Sequence, residues 1–88
     1  MSIKSIFKYE IPDNGKVVLP TGASILHIDA VGNKLFLWAA VLPQAPSETK
    51  TFLVLPTGGQ VPFGYEHIKT VLLHGGTFVF HVFKPVNP

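Results

Sequence analysis

Residues 72–83 read LLHGGTFVFHVF, and the fold turns on how they are read. Two adjacent glycines split the stretch. After them large apolar residues fill nearly every position, with one histidine, His81, among them. A strand with one wet face alternates apolar and polar residues. This one does not, so both of its faces must be covered or apolar. With Gly75-Gly76 as a tight two-residue turn, residues 66–74 and 77–84 become the two arms of a hairpin. Leu73, Val71, Lys69 and His67 then share one face with Phe78, Phe80 and Val82. His74, Leu72, Thr70 and Ile68 share the other with Thr77, Val79, His81 and Phe83. One face belongs in the core; the other meets a second sheet, a second subunit or a ligand. His81 falls opposite Thr70 and is expected to be hydrogen-bonded, since an unpaired buried polar group costs about 1–3 kcal/mol.

The rest of the chain has the same texture. Eight glycines and eight prolines are spread along 88 residues, with short runs of Val, Ile, Leu and Phe between them. No stretch keeps a 3.6-residue period. Short strands broken by frequent turn signals predict an all-β fold, a small antiparallel sandwich or partly open barrel of six or seven strands with two tight hairpins. Strands are expected at 4–11, 16–19, 24–31, 34–42, 48–55, 66–74 and 77–84, in a single domain over 1–88, with a loose tail at 85–88. Gly32-Asn33 suits a type II′ turn. It sets Val31 opposite Lys34, His27 opposite Trp38 and Asp29 opposite Phe36. Leu26, Ile28 and Ala30 with Leu35, Leu37 and Ala39 make that hairpin's core face. VVLPTGAS at 17–24 echoes LVLPTGGQ at 53–60, and each is followed by a His-Ile pair and a hairpin, a hint of internal repetition.

Composition narrows the functional classes. With no cysteine, disulfides, thiolate zinc sites and cysteine nucleophiles are excluded. Charged residues are 14%, against roughly 25% in an average soluble domain. So few charges on so apolar a chain point to a homo-oligomer, a dimer being favoured, or to a standing binding surface. The net charge is +2, but no basic run stands out, which argues against nucleic acid. No segment approaches the ~18 apolar residues of a membrane span. The N-terminus has no uninterrupted apolar core of a signal peptide. A cytoplasmic protein is expected. Ser2, Ser5, Ser24 and Ser47 are scattered and the five acids show no pairing suited to acid–base work, so no enzyme and no cofactor are expected. His67, His74 and His81 are spaced by seven, which puts His67 on the face opposite the other two. No compact metal-ligand set emerges.

The best constellation is Trp38, Phe36, His27, Asp29 and Lys34. Two aromatic rings offer stacking area, worth about 1–3 kcal/mol per base for a nucleobase. Histidine, aspartate and lysine add a donor, an acceptor and a cation. The same group suits a protein hot spot or an ordinary packed face. In a pocket at a subunit boundary the loop at 56–65 would act as a lid, and its Thr57, Gly58 and Gly59 amides would meet an anion, with Tyr65 at its end. It lacks the lysine and helix of a phosphate-binding P-loop. Phe78, Phe80, His81 and Phe83 are the expected subunit interface.

Four phrases, FKYEIP at 7–12, LPTGASILHI at 19–28, LFLWAAVLPQAPSETKTF at 35–52 and FVFHVF at 78–83, together resemble a family of short, mostly uncharacterised β-rich proteins encoded largely by bacteriophages and prophages. The family's middle reads Leu-Trp-Ala, a proline-bounded loop, then Glu-Thr and a basic residue. Leu37-Trp38-Ala39 and Glu48-Thr49-Lys50 match it. Leu42 departs, standing where the family has an acidic residue. No functional residue carries over. The resemblance implies a bacterial host cell and a counter-defence role: a sponge that sequesters a nucleotide-like signalling molecule, or an inhibitor that coats a host defence protein. A phage structural or assembly component is a third expectation.

Overall fold

A computed structural model describes residues 3–86. Eight strands form among them and no α-helix: β1 (Ser5–Ile11), β2 (Lys16–Pro20), β3 (Ser24–Val31), β4 (Lys34–Val41), β5 (Ser47–Thr51), β6 (Leu53–Pro56), β7 (Tyr65–Leu73) and β8 (Phe78–Pro85). The fold is all-β, as the punctuation predicts. The strands make three antiparallel sheets, in the orders β1-β4-β3, β2-β5 and β6-β8-β7, and no closed barrel forms among the described residues. The shortest dimension is 18 Å, which accommodates two sheet layers about 10 Å apart, as in a small sandwich.

The inner faces of the first and third sheets, with Val17 and Leu19 of β2, share one core. Leu19, Leu37, Val41, Val71 and Val82 are its fully buried side chains. Alternation along β4 explains the layering: Leu35, Leu37, Ala39 and Val41 point inward while Lys34, Phe36, Trp38 and Ala40 point outward.

The expected strand at 48–55 is two strands. The break falls at Phe52, whose ring is buried and whose N–H donates to the Gly15 carbonyl at 2.8 Å. At that point the chain leaves β2 and joins β8. Gly15 has φ 74° and lies so close that a Cβ on it would stand 1.9 Å from the Phe52 oxygen, so the crossing needs glycine.

Both hairpins keep the expected register near their turns and lose it at a bulge. Gly32 has φ 65°, as the first position of a II′ turn requires, and His27 does face Trp38. Beyond His27 the register slips, and Leu26 drops out of the core to 54% exposure. In the second hairpin Leu73 pairs with Phe78 across a four-residue loop, His74 to Thr77, rather than a two-residue Gly-Gly turn. His74, Gly75 and Gly76 all have positive φ, so the chain spreads its reversal over three left-handed residues. Further along, a bulge between His67 and Lys69 brings His67 opposite Phe83. One extra residue reverses which face the following side chains reach. His67 therefore lies on the face of His81, not opposite to it.

The first and third sheets share a strand order, with the last strand between the first and the hairpin partner. The echoed LPTG phrases both end a strand in a turn with positive-φ glycine, Gly22 and Gly58. Their strands are not equivalent, since β2 pairs with β5 and β6 with β8. Of the tail expected to be loose, Pro85 closes β8 and the Val86 N–H reaches the Gly64 carbonyl at 2.7 Å. Residues 87–88, like Ser2, lie outside the described residues.

Candidate functional site

The outward face of the first sheet assembles the aromatic constellation. Trp38 and Phe36 stand side by side on the central strand, with ring centroids 6.5 Å apart. β3 contributes His27 beside Trp38, centroids 5.6 Å apart, and Asp29 beside Phe36. β1 contributes Lys8 beside Trp38 and Glu10 beside Phe36. Lys8 Nζ sits 4.7 Å from the Phe36 centroid, a cation–π contact that covers part of that ring. Lys34 reaches Glu10 at 3.9 Å. Trp38 and Phe36 are half-buried among these neighbours, with their rings tilted 52° to one another, and form an aromatic platform with polar groups around its rim.

The Ala30 N–H donates to Asp29 Oδ1 at 2.8 Å. That bond first, then the His27 ring 3.5 Å away and the more distant Lys69, holds the Asp29 carboxyl below its ordinary value. A charged Asp29 beside His27 fixes the ring at the β3 edge of the platform.

At that edge the two bulges open a notch of about 310 Å³ between the sheets. Leu26 and His27 border it on β3; Ile68 and Lys69 border it on β7, with Lys84 beyond. A bulge re-aims side chains and interrupts close packing, and two of them on neighbouring edge strands leave this gap. The platform thus ends in a recess that carries two lysines, though Lys84 is also 3.4 Å from Glu66.

The other expected binding residues lie elsewhere. Thr57, Gly58 and Gly59 form a turn after β6, closed by the Gly59 N–H to the Pro56 carbonyl at 2.9 Å, and Tyr65 begins β7. All belong to the third sheet, whereas Trp38 and Phe36 lie on the first. Thr57 instead ends a hydrogen-bonded chain. Its Oγ1 lies 2.9 Å from His81 Nε2; His81 Nδ1 lies 2.9 Å from Thr70 Oγ1; and that hydroxyl lies 2.8 Å from His67 Nε2. The partner expected for His81 is present twice over.

The four residues expected to form one interface are divided by the strand's pleat. His81 and Phe83 point outward with Leu53, Leu55, Leu72 and Val79. Phe78 and Phe80 point inward with Val71 and Leu73. No cluster of three or more metal-ligating side chains occurs among the described residues. No helix among them is long and apolar enough to cross a membrane.

Sequence reasoning missed Lys8, Glu10, Lys69 and Lys84. Lys8 and Glu10 alternate with Phe7, Tyr9 and Ile11, which marks a two-faced strand. Nothing local says that β1 pairs with β4. The two lysines of the notch were hidden by the bulge.

A family model described as Domain of unknown function (DUF7352) matches residues 2–88. No curated protein and no solved structure matches the chain.

Proposed function

The chain belongs to the DUF7352 family, a domain of unknown function, and from its own geometry we propose that it is a non-catalytic binding protein that captures a nucleotide-like molecule. One observation carries this reading: His27, which lines a notch together with Lys69 and Lys84, has its ring 5.6 Å from that of Trp38. A planar base stacks on the indole, an interaction worth about 1–3 kcal/mol. An anionic group enters the notch toward the two ammonium groups. Asp29, kept ionised, accepts hydrogen bonds from a sugar hydroxyl or a base amine. The notch volume lies at the lower end of the roughly 300–1,000 Å³ of small-molecule sites, which suits a single nucleotide unit rather than a strand. With the phage-type resemblance of its phrases, this reading makes the protein a sponge for a host signalling nucleotide.

A host protein as partner is the second reading. The exposure of the platform favours it, since a sheet face with a central tryptophan and a charged rim suits a hot spot. The two readings separate by what is retained. The protein is expressed in defence-active bacteria, purified, denatured, and the released material identified by mass spectrometry. Release of a nucleotide from the wild type but not from Trp38→Ala supports the sponge. A co-purifying host polypeptide lost with Trp38→Ala, with no nucleotide, replaces the sponge by the inhibitor. Loss of neither on Trp38→Ala overturns both.

The chain also self-associates in this proposal, through the outward face of the third sheet. Leu53, Leu55, Val79 and Phe83 surround the His81 chain there, and Leu72 is 61% exposed. An apolar sheet face of this kind is normally covered. A two-fold contact would bury it in a dimer without facing like charges.

A further inference from the structure

At the end where both hairpins turn, the first and third sheets part. A cleft of about 660 Å³ opens between them, well within the roughly 300–1,000 Å³ of ligand sites. Ile11 and Leu35 form one wall; Val54, Leu73, Phe78 and Phe80 form the other. Phe78 is the anomaly. It pairs with Leu73 on the inward side of the sheet, yet Leu73 is 6% exposed and Phe78 is 52% exposed. A large aromatic ring on the core side has no core over it, because the facing strand begins at Lys34 and offers only Leu35 at that level.

Two further observations mark the mouth. His74 is held at φ 53°, a left-handed conformation that a non-glycine residue seldom adopts, and its ring meets Phe78 edge-on at 5.6 Å. Such strain concentrates where a binding surface needs a fixed group. The rim is also acidic. Glu10 is 3.9 Å from Lys34 and the two offset each other, while Asp13 makes no ion pair among the described residues.

We propose that this cleft binds an amphipathic organic cation, its apolar ring seated on Phe78 and Phe80 and its charged nitrogen at Asp13. The Asp13 carboxylate, which has no cationic partner among the described residues, favours a positive nitrogen and disfavours an anion. The site differs from the Trp38 notch in place and in sign, so it stands whether or not that notch takes a nucleotide.

Three probes with the same ring and different charge test it: benzyltrimethylammonium, benzyl alcohol and benzoate, titrated into the full ¹⁵N-labelled chain and followed by amide shifts. The cation is expected to saturate, to move the amides of residues 10–13, 33–35 and 73–80, and to bind about three- to ten-fold more tightly than the alcohol. Benzoate binds weakest. Asp13→Asn, a change at an exposed turn that leaves the fold intact, brings the cation to the level of the alcohol and leaves the alcohol unchanged. Phe78→Ala weakens both. Equal binding of the three probes, no saturation by any of them, shifts centred on the Trp38 face, or a cation preference that survives Asp13→Asn would each overturn the proposal.

Discussion

Gly15 and Gly22 have nearly the same backbone angle, φ 74° and 77°, but opposite surroundings. Replacing each by alanine therefore separates a conformational cost from a steric one. Holding a non-glycine residue in the left-handed region costs about 1–2 kcal/mol. Alanine also narrows the unfolded ensemble, which returns about 0.4–1 kcal/mol. At Gly22 a Cβ meets nothing within 4 Å, so only these two effects act and Gly22→Ala should lose about 1 kcal/mol. At Gly15 the same Cβ would stand 1.9 Å from the Phe52 carbonyl oxygen and 3.0 Å from its carbon. The backbone must retreat by more than about 1 Å to restore contact distances. That movement breaks the 2.8 Å bond from the Phe52 N–H to the Gly15 carbonyl, worth about 0.5–1.5 kcal/mol. It also disturbs the packing of Phe52, a ring 5% exposed, for which complete removal would cost about 3–5 kcal/mol. Gly15→Ala should therefore lose about 3 kcal/mol or more, a large fraction of the stability of so small a domain. Urea denaturation followed by Trp38 fluorescence and far-UV circular dichroism measures both variants. At about 4–8 °C per kcal/mol, the melting temperature should fall by roughly 5 °C for Gly22→Ala and by roughly 15 °C or more for Gly15→Ala. Equal losses, within about 0.5 kcal/mol, would refute the idea that the β5–β6 break is held by close approach of these two backbones.

Neighbouring residues on β8 should respond oppositely to charge: Val82→Asp, at a fully buried position, abolishes the folded state, whereas Phe83→Asp leaves a folded chain and shifts sedimentation of the proposed dimer toward the monomer. A folded Val82→Asp would mean that the inward face has been assigned wrongly. Leu37→Ala, at the centre of the core, should cost about 2–5 kcal/mol by chemical denaturation. Asp29 should titrate by NMR below the roughly 3.9 of an ordinary aspartate. Because its folded value is depressed, its contribution is present above the unfolded value and is lost as pH falls through the folded one, so Asp29→Asn should lower stability slightly at neutral pH, flatten the acid limb of the stability profile and leave the most acidic end nearly unchanged. A titration midpoint at or above the ordinary value would contradict the Ala30 hydrogen bond as its cause.

Local sequence determined the class of structure and the contents of one face. Glycines and prolines end strands because of their own backbone limits, and alternation along KLFLWAAV sorts Phe36 and Trp38 from Leu37 and Ala39 without reference to any partner. A two-residue turn then carries the register from Val31 and Lys34 as far as His27 and Trp38, so those side chains were legible as neighbours. Tertiary structure decided what lies beyond that reach. The bulges at Leu26 and Ile68 depend on how two sheets fit along their edges, and each reverses the faces that alternation assigns further along the strand. That is why Leu26 left the core, why His67 joined His81, and why Lys69 and Lys84 came to border a notch beside His27. The pairing of β1 with β4 brought Lys8 and Glu10 to the platform across some thirty residues, and the break at Phe52 sent one apparent strand into two sheets. Turn chemistry and alternation act over a few residues, whereas strand order and bulge position minimise the free energy of the whole core, and no short segment contains that information.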